Sequence, residues 1–172
     1  MLGFFAADGA MIRNNRGAHF VEFYTTDRPL LLRIRFVLGS NHKIGARSRG
    51  DGWKTCYRLQ IGSKEIFADL SSYGFSQNKS NIVRMPEIPR EFISHYVRGY
   101  FDGDGNVYFR KHRVKDRAKE RWVFSTRFTS GSLGYLQDLH RVLSLFGLRK
   151  GFIFSKNRGY DLVFSHRDGL AL

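Results

Sequence analysis

Apolar and polar positions along the chain change period several times, and the changes come in the same order twice. The first nine residues, Met1 to Gly9, are mostly apolar and lack β-branching. They do not alternate, so they read as a helix that ends at Asp8-Gly9, where glycine supplies the open backbone of a helix exit. Two alternating runs follow, Ala10–Asn15 and Ala18–Tyr24, and they predict a hairpin around Asn14-Asn15-Arg16-Gly17. Thr26 or Asp27 can cap a helix with Pro29 in its first turn. Its apolar face is Leu30, Leu31, Ile34, Val37 and Leu38, and it ends at Gly39. His42–Arg47 and Thr55–Ile61 make a second hairpin across a Gly-rich turn. Ser63 then caps a helix through Ile66, Phe67, Leu70 and Tyr73, which closes at Gly74.

The second half repeats this order. A helix starts near Pro89-Arg90. A hairpin pairs Asn106–His112 with Trp122–Thr129 across the basic loop 113–121. Ser130 or Ser132 caps a helix through Leu133, Leu136, Leu139, Leu143 and Phe146, ending at Gly147. A last hairpin joins Lys150–Ser155 to Tyr160–Ser165. The expected fold class is α+β, a duplicated αββαββα arrangement with two antiparallel sheets. The expected domains are residues 1–75, a linker over 76–89 that carries two prolines, and residues 90–172.

Within this repeated order one word recurs. Met1-Leu2-Gly3-Phe4-Phe5-Ala6-Ala7-Asp8-Gly9 matches Val97-Arg98-Gly99-Tyr100-Phe101-Asp102-Gly103-Asp104-Gly105 in its glycine, its two large apolar residues and its closing Asp-Gly. The repeat puts one carboxylate from each half, Asp8 and Asp104, at the same local position. A shared metal-dependent site would need such a pair. Asp102 has only Ala6 opposite it, so it is not half of a matched pair.

Charge changes the picture next. The chain of 172 residues carries 29 Lys+Arg against 15 Asp+Glu, a formal net charge of +14. Residues 1–89 hold 13 basic and 7 acidic groups, and residues 90–172 hold 16 and 8. The excess is therefore spread over both halves, as expected for a broad surface that meets a polyanion. Each strand alternates, so one sheet face packs on helices and the other meets solvent. The expected solvent-face contacts with phosphates and base edges are Arg13, Arg16, Lys43, Arg47, Lys54, Arg58 and Gln60 in the first half. In the second they are Asn106, Tyr108, Arg110, Arg121, Arg127, Lys150 and Lys156.

The single Cys56 excludes an internal disulfide framework and a cysteine-based zinc site, and it fits a reducing, intracellular setting. No run of about 18 apolar residues is present, so no membrane helix is expected. The start of the chain has no signal-peptide pattern.

The repeated word resembles the two motifs of LAGLIDADG homing endonucleases of the single-chain type. The most specific stretch is His95-Tyr96-Val97-Arg98-Gly99-Tyr100-Phe101-Asp102-Gly103-Asp104-Gly105. Asn78-Lys79-Ser80 is similar to the family's Asn/Arg-Lys-Ser/Thr block. The resemblance covers essentially the whole chain. It implies motif helices packed along a pseudo-two-fold, with Gly3 and Gly99 allowing close approach, and two sheets forming a saddle over a long duplex site. It also implies a monomeric, site-specific endonuclease dependent on Mg²⁺ (or Mn²⁺), with Asp8 and Asp104 as catalytic and metal-binding carboxylates. Backbone carbonyls of Ala7 and Gly103 would be neighbouring metal ligands, and Lys79 would be the basic residue of the active site. The partner would be double-stranded DNA, with intron RNA as a further partner, and the setting cytoplasm, nucleoid or organelle.

The last helix of the second half has only His166–Leu172 to work with, so a second lysine equivalent to Lys79 is not expected before Leu172. Either the chain is trimmed or one strand is cut poorly. Two other functions compete. One is a DNA- or RNA-binding maturase or regulator on the same scaffold without cleavage. The other is a basic ribosome-associated protein, against which the duplicated motif argues.

Overall fold

The computed structural model describes residues 1–48, 50–113 and 120–172. Most of the basic loop expected over 113–121 lies outside the described residues. The element order is the repeated one: α1 (Leu2–Asp8), β1 (Gly9–Arg13), β2 (His19–Thr25), α2 (Arg28–Val37), β3 (Ile44–Arg47), β4 (Cys56–Gly62) and α3 (Lys64–Ser72). Then come α4 (Ile93–Asp104), β5 (Gly105–Arg113), β6 (Glu120–Ser130), α5 (Leu133–Leu145), β7 (Gly151–Lys156), β8 (Gly159–Ser165) and α6 (His166–Leu170). The strands form two four-stranded antiparallel sheets of matching order, β1-β2-β4-β3 and β5-β6-β8-β7. No helix among the described residues is long and apolar enough to cross a membrane.

Local signals explain the boundaries. Asp27 accepts a hydrogen bond from the Leu30 N–H at 3.1 Å, so it, and not Thr26, caps α2. Ser63 caps α3 by accepting from the Ile66 N–H at 3.1 Å. Ser132 caps α5, and Ser130 instead accepts from the Ser132 N–H. In the β1–β2 turn the Asn14 side chain accepts from the N–H groups of Arg16 and Ala18, and Gly17 takes φ +79°. The region before α4 begins as a 3₁₀ turn at Arg90–Phe92, three residues ahead of the regular helix.

The chain folds as two compact units. One is Met1–Lys79 with Pro86–Gly103; the other is Ser80–Met85 with Asp104–Leu172. Both motif helices thus belong to the first unit, α4 up to Gly103. The stretch expected as a linker is divided between the units, and parts of it are buried, with Lys79 and Val83 each 5% exposed.

In the first unit, Met11, Val21, Phe23, Leu59 and Ile61 point from the sheet into a core shared with Phe4, Phe5, Leu31, Ile34, Leu70 and Phe75. The motif helices meet backbone to backbone. A Cβ at Gly3 would overlap the Tyr96 carbonyl oxygen, and one at Gly99 would lie 3.0 Å from the Phe4 nitrogen. Only glycine permits that approach.

The core of the second unit is Phe128, Tyr135, Leu136, Leu139, Leu143, Leu162 and Phe164. Arg84 clips the 80–85 segment onto α5: its Nε and a terminal nitrogen donate to the two Asp138 oxygens at 2.6 and 2.7 Å. Burial alone would raise the Asp138 carboxyl. The hydrogen bonds and charge of Arg84, with a backbone donor and Arg141, hold it below the usual carboxylate range. A depressed acid stabilises the fold above its unfolded pKa, and that contribution is lost as pH falls through the folded value. Arg84→Met is therefore expected to lower the urea midpoint at pH 7. Its difference from wild type should shrink as pH drops below the ordinary carboxylate range, read by urea titrations at several pH values.

Candidate active site and nucleic-acid interface

Helix α1 ends where it must present its last carbonyl groups. The Gly9 N–H closes back on the Phe5 carbonyl, and the Ala6 carbonyl accepts from Lys79 Nζ at 2.8 Å. Lys79 is nearly fully buried, and its ammonium lies 5.6 Å from the centre of the Phe5 ring. A cation at the C-terminal end of a helix meets its negative pole, so the placement is electrostatically favourable. The carbonyl of Ala7 lies past that last helical bond.

The Asp8 side chain follows. Burial pushes its carboxyl above the ordinary value, and the Lys79 charge opposes that shift. Gly103 of α4 comes against this corner: a Cβ there would stand 2.5 Å from the Ala7 Cβ and 3.2 Å from an Asp8 oxygen. The structure thus brings Ala7, Asp8, Lys79 and Gly103 together. Asp104 is the last residue of α4, directly after Gly103.

The donors at this corner are carboxylate and carbonyl oxygens, which suit a hard cation such as Mg²⁺. A partly desolvated carboxylate at the negative end of a helix is a place where a cation is stabilised. Among the described residues no cluster of three or more His, Cys, Asp or Glu side chains forms. Such an ion would therefore draw its remaining ligands from water and phosphate oxygens, as Mg²⁺ commonly does.

Register sorts the expected nucleic-acid contacts by face. In the first sheet the cross-strand rows Ala10–Glu22–Gln60 and Tyr24–Arg58–Gly45 lie opposite the core, and Arg47 shares that face. Arg16 is in the β1–β2 turn; Lys43 and Lys54 precede β3 and β4. Arg13 pairs with His19 on the same face as Met11 and Val21, on the helix side of the sheet at its end.

In the second sheet Asn106, Tyr108, Arg110, Arg121 and Arg127 all lie on the open face. The Arg127 guanidinium sits 5.3 Å from the Tyr108 ring centre, and the Tyr108 hydroxyl is 2.5 Å from His112 Nε2. Tyr108, His112, Arg121, Val123 and Arg127 line a shallow concavity on that face. Lys156 pairs with Asp161 at 2.7 Å, while Lys150 precedes β7 and its backbone N–H binds Asp168.

Several residues escaped the sequence reading. Glu22, 1% exposed, sits in the middle of the first sheet's open face. It accepts from the Tyr24 hydroxyl at 2.5 Å and from the Gln60 amide, and Arg58 lies 3.6 Å away. The strict alternation of Phe20, Glu22 and Tyr24 in β2 was a signal for its face, though not for its burial. Phe152 and Phe154 share the open face of the second sheet and are exposed. Flat aromatic surfaces beside basic groups can stack bases.

A tandem αββαββα protein with a lysine-braced acidic corner and two basic sheet faces is what these observations define. A family model for a LAGLIDADG-like domain matches residues 1–73 and 91–168, and the chain belongs to that family. In the crystal structure of the meganuclease I-SmaMI bound to uncleaveable DNA, the likeness has a TM-score of 0.67. It covers 99% of this chain and 79% of that one at 14% identity. The meganuclease I-AabMI bound to uncleaved DNA gives 0.65, 96% and 77% at 11% identity. These show the fold.

Among curated proteins, the chain is 30% identical to the DNA-directed RNA polymerase subunit Rpo1C of Methanocaldococcus jannaschii over 170 residues, 96% of this chain and 18% of that protein. It is 33% identical to a probable translation initiation factor IF-2 of Thermococcus kodakarensis over 76 residues, 42% of this chain and 6% of that protein. The chain thus spans less than a fifth of the length of these relatives.

Proposed function

We propose that this chain is a site-specific double-stranded DNA endonuclease of the homing type, hydrolysing phosphodiester bonds with a divalent metal ion. The observation that carries the reading is the corner at the end of α1. A nearly buried Lys79 holds the last turn of the helix, and beside it stands a half-buried Asp8 whose carboxyl burial has pushed upward. A protein that only bound nucleic acid would gain nothing from holding a carboxylate where its charge is disfavoured.

Asp8 and Asp104 each supply a carboxylate, with the carbonyls of Ala7 and Gly103 as neighbouring ligands. When bound, Mg²⁺ or Mn²⁺ would lower the pKa of attacking water and stabilise charge on the phosphate. Lys79 fixes the helix end that carries Asp8 and offsets negative charge near the scissile phosphate. The open sheet faces, with Arg47, Arg58, Gln60, Asn106, Tyr108, Arg110, Arg121 and Arg127, bind the duplex as a monomer.

The curated similarities support a portable domain. One stretch of sequence is shared with small fractions of an RNA polymerase subunit and of a translation factor, proteins whose names have nothing else in common. An inserted element that spreads by cutting DNA accounts for that distribution. The same similarities favour a second reading, a nucleic-acid binder that has lost cleavage, because neither name is that of a nuclease.

A supercoiled plasmid library separates the two. Discrete linear products with Mg²⁺, and none with EDTA, are expected. Lys79→Met should slow cleavage about 10- to 100-fold, as removal of a residue that supports a metal-binding carboxylate typically does. Equal cutting by wild type and Lys79→Met would remove Lys79 from the mechanism.

A further inference from the structure

The two sheets can be matched row by row, because Gly9 pairs with Phe23 and Gly105 with Phe128 at the start of each first hairpin. The next row on each open face is Ala10–Glu22–Gln60 in one sheet and Asn106–Arg127–Val163 in the other. Glu22 and Arg127 thus occupy the same position with opposite charge. A carboxylate in the middle of a face that would meet phosphates needs an explanation. Glu22 does not read a base itself: it is 1% exposed, and both its oxygens already accept, one from Tyr24 and one from Gln60.

Its effect falls on Gln60. An amide can turn over and exchange its oxygen and nitrogen, and its neighbours decide which way it faces. An ionised carboxylate only accepts, so Glu22 compels the Gln60 nitrogen to face it and turns the Gln60 oxygen away. One Gln60 N–H is then held by Glu22. A second N–H and the oxygen remain, one a donor and the other an acceptor. Adenine presents the complementary pair in the major groove, an acceptor at N7 and a donor at N6.

We propose that Glu22 is a positioning residue for sequence recognition, which locks Gln60 in the orientation that selects adenine. The matched position of the other sheet works differently. Arg127 needs no such lock, because a guanidinium offers donors on every edge; it leans on the Tyr108 ring, and its buried Nε has no hydrogen-bond partner among the described residues. The inference rests on the reading of the open faces as a duplex-binding surface.

Selection of bound duplexes from a randomised pool, without metal so that no cutting occurs, tests it for wild type, Gln60→Ala, Glu22→Gln and Arg127→Ala. Wild type should enrich adenine at one position that Gln60→Ala erases. Glu22→Gln keeps the volume but allows Gln60 to turn over. It should reduce the adenine preference at that position by roughly 5- to 100-fold, the range one bidentate base contact supplies. Positions altered by Arg127→Ala should keep their preference in Glu22→Gln.

A different base at the Gln60 position overturns the proposal. So does a Glu22→Gln protein that melts lower but selects adenine unchanged, since that is a structural role alone. Either result leaves the duplex-binding reading standing. A wild type that enriches no sequence overturns that reading together with the inference.

Discussion

Asp8→Asn and Asp104→Asn should each abolish DNA cleavage while leaving duplex binding and the fold in place. The expected loss is at least about 10²–10³-fold, the scale set by removing one group that stabilises charge in a transition state. For Asp8 the reason is its burial. Its carboxyl is raised by burial, so ionisation there is disfavoured in the folded chain relative to water. An amide of the same shape removes that burden. Asp8→Asn should therefore melt no lower than wild type at pH 7, because a group with a raised folded pKa contributes stability below its unfolded value and loses it as pH rises. A functional carboxylate thus separates from a structural one: activity falls and stability does not. Cleavage rates on a selected duplex, gel-shift affinity in EDTA and thermal melts read the three quantities. A melt that drops in parallel with activity would mean that Asp8 merely ends its helix.

The second large effect is on folding. Gly3→Ala should destabilise the chain by ~3 kcal/mol or more, at the upper end of overpacking costs. The reason is what the new methyl group meets: the Tyr96 carbonyl oxygen and the Tyr100 nitrogen, both backbone atoms of α4. A flexible side chain could swing aside, but two helices in backbone contact can only separate. For a chain of this size each 1 kcal/mol shifts the melting temperature by roughly 2–4 °C, so a fall of about 6–12 °C is expected. Gly17→Ala is the control. No atom of the described residues lies within 4 Å of a Cβ there, and only its positive φ of +79° is strained. It should cost about 1 kcal/mol, the ordinary penalty for a side chain in the left-handed region. If both variants melt alike, the motif helices do not depend on the glycine contact.

Much of this was legible because the local signals were strong. Asp27 and Ser63 announce two helix starts, Gly74 and Gly147 take positive φ where their helices were expected to end, and the alternation in β2, β5 and β6 sets which residues share a face. The duplicated word named the acids, because a repeat is visible without any knowledge of packing. What stayed hidden depends on contacts between residues far apart in sequence. Lys79 could be matched to a motif, but its grip on the Ala6 carbonyl spans 73 residues. Arg84 looked like part of a linker, yet its carboxylate partner is 54 residues away. Glu22 read as one acid among many; its burial follows from Gln60, 38 residues on, together with Tyr24 and Arg58. Arg13 is expected on the solvent face, but a single step of register puts it on the other side.

The proposed chemistry is DNA cleavage by carboxylates at the ends of the two motif helices. The most direct measurement is an end-labelled duplex, selected for tight binding, incubated with wild type and with Asp104→Asn in Mg²⁺ and resolved at single-nucleotide resolution. Wild type should make discrete cuts at one place in the site, lost in EDTA and lost in Asp104→Asn although that variant still binds. A bound duplex left intact by wild type in Mg²⁺, or the same cuts from Asp104→Asn, would contradict it.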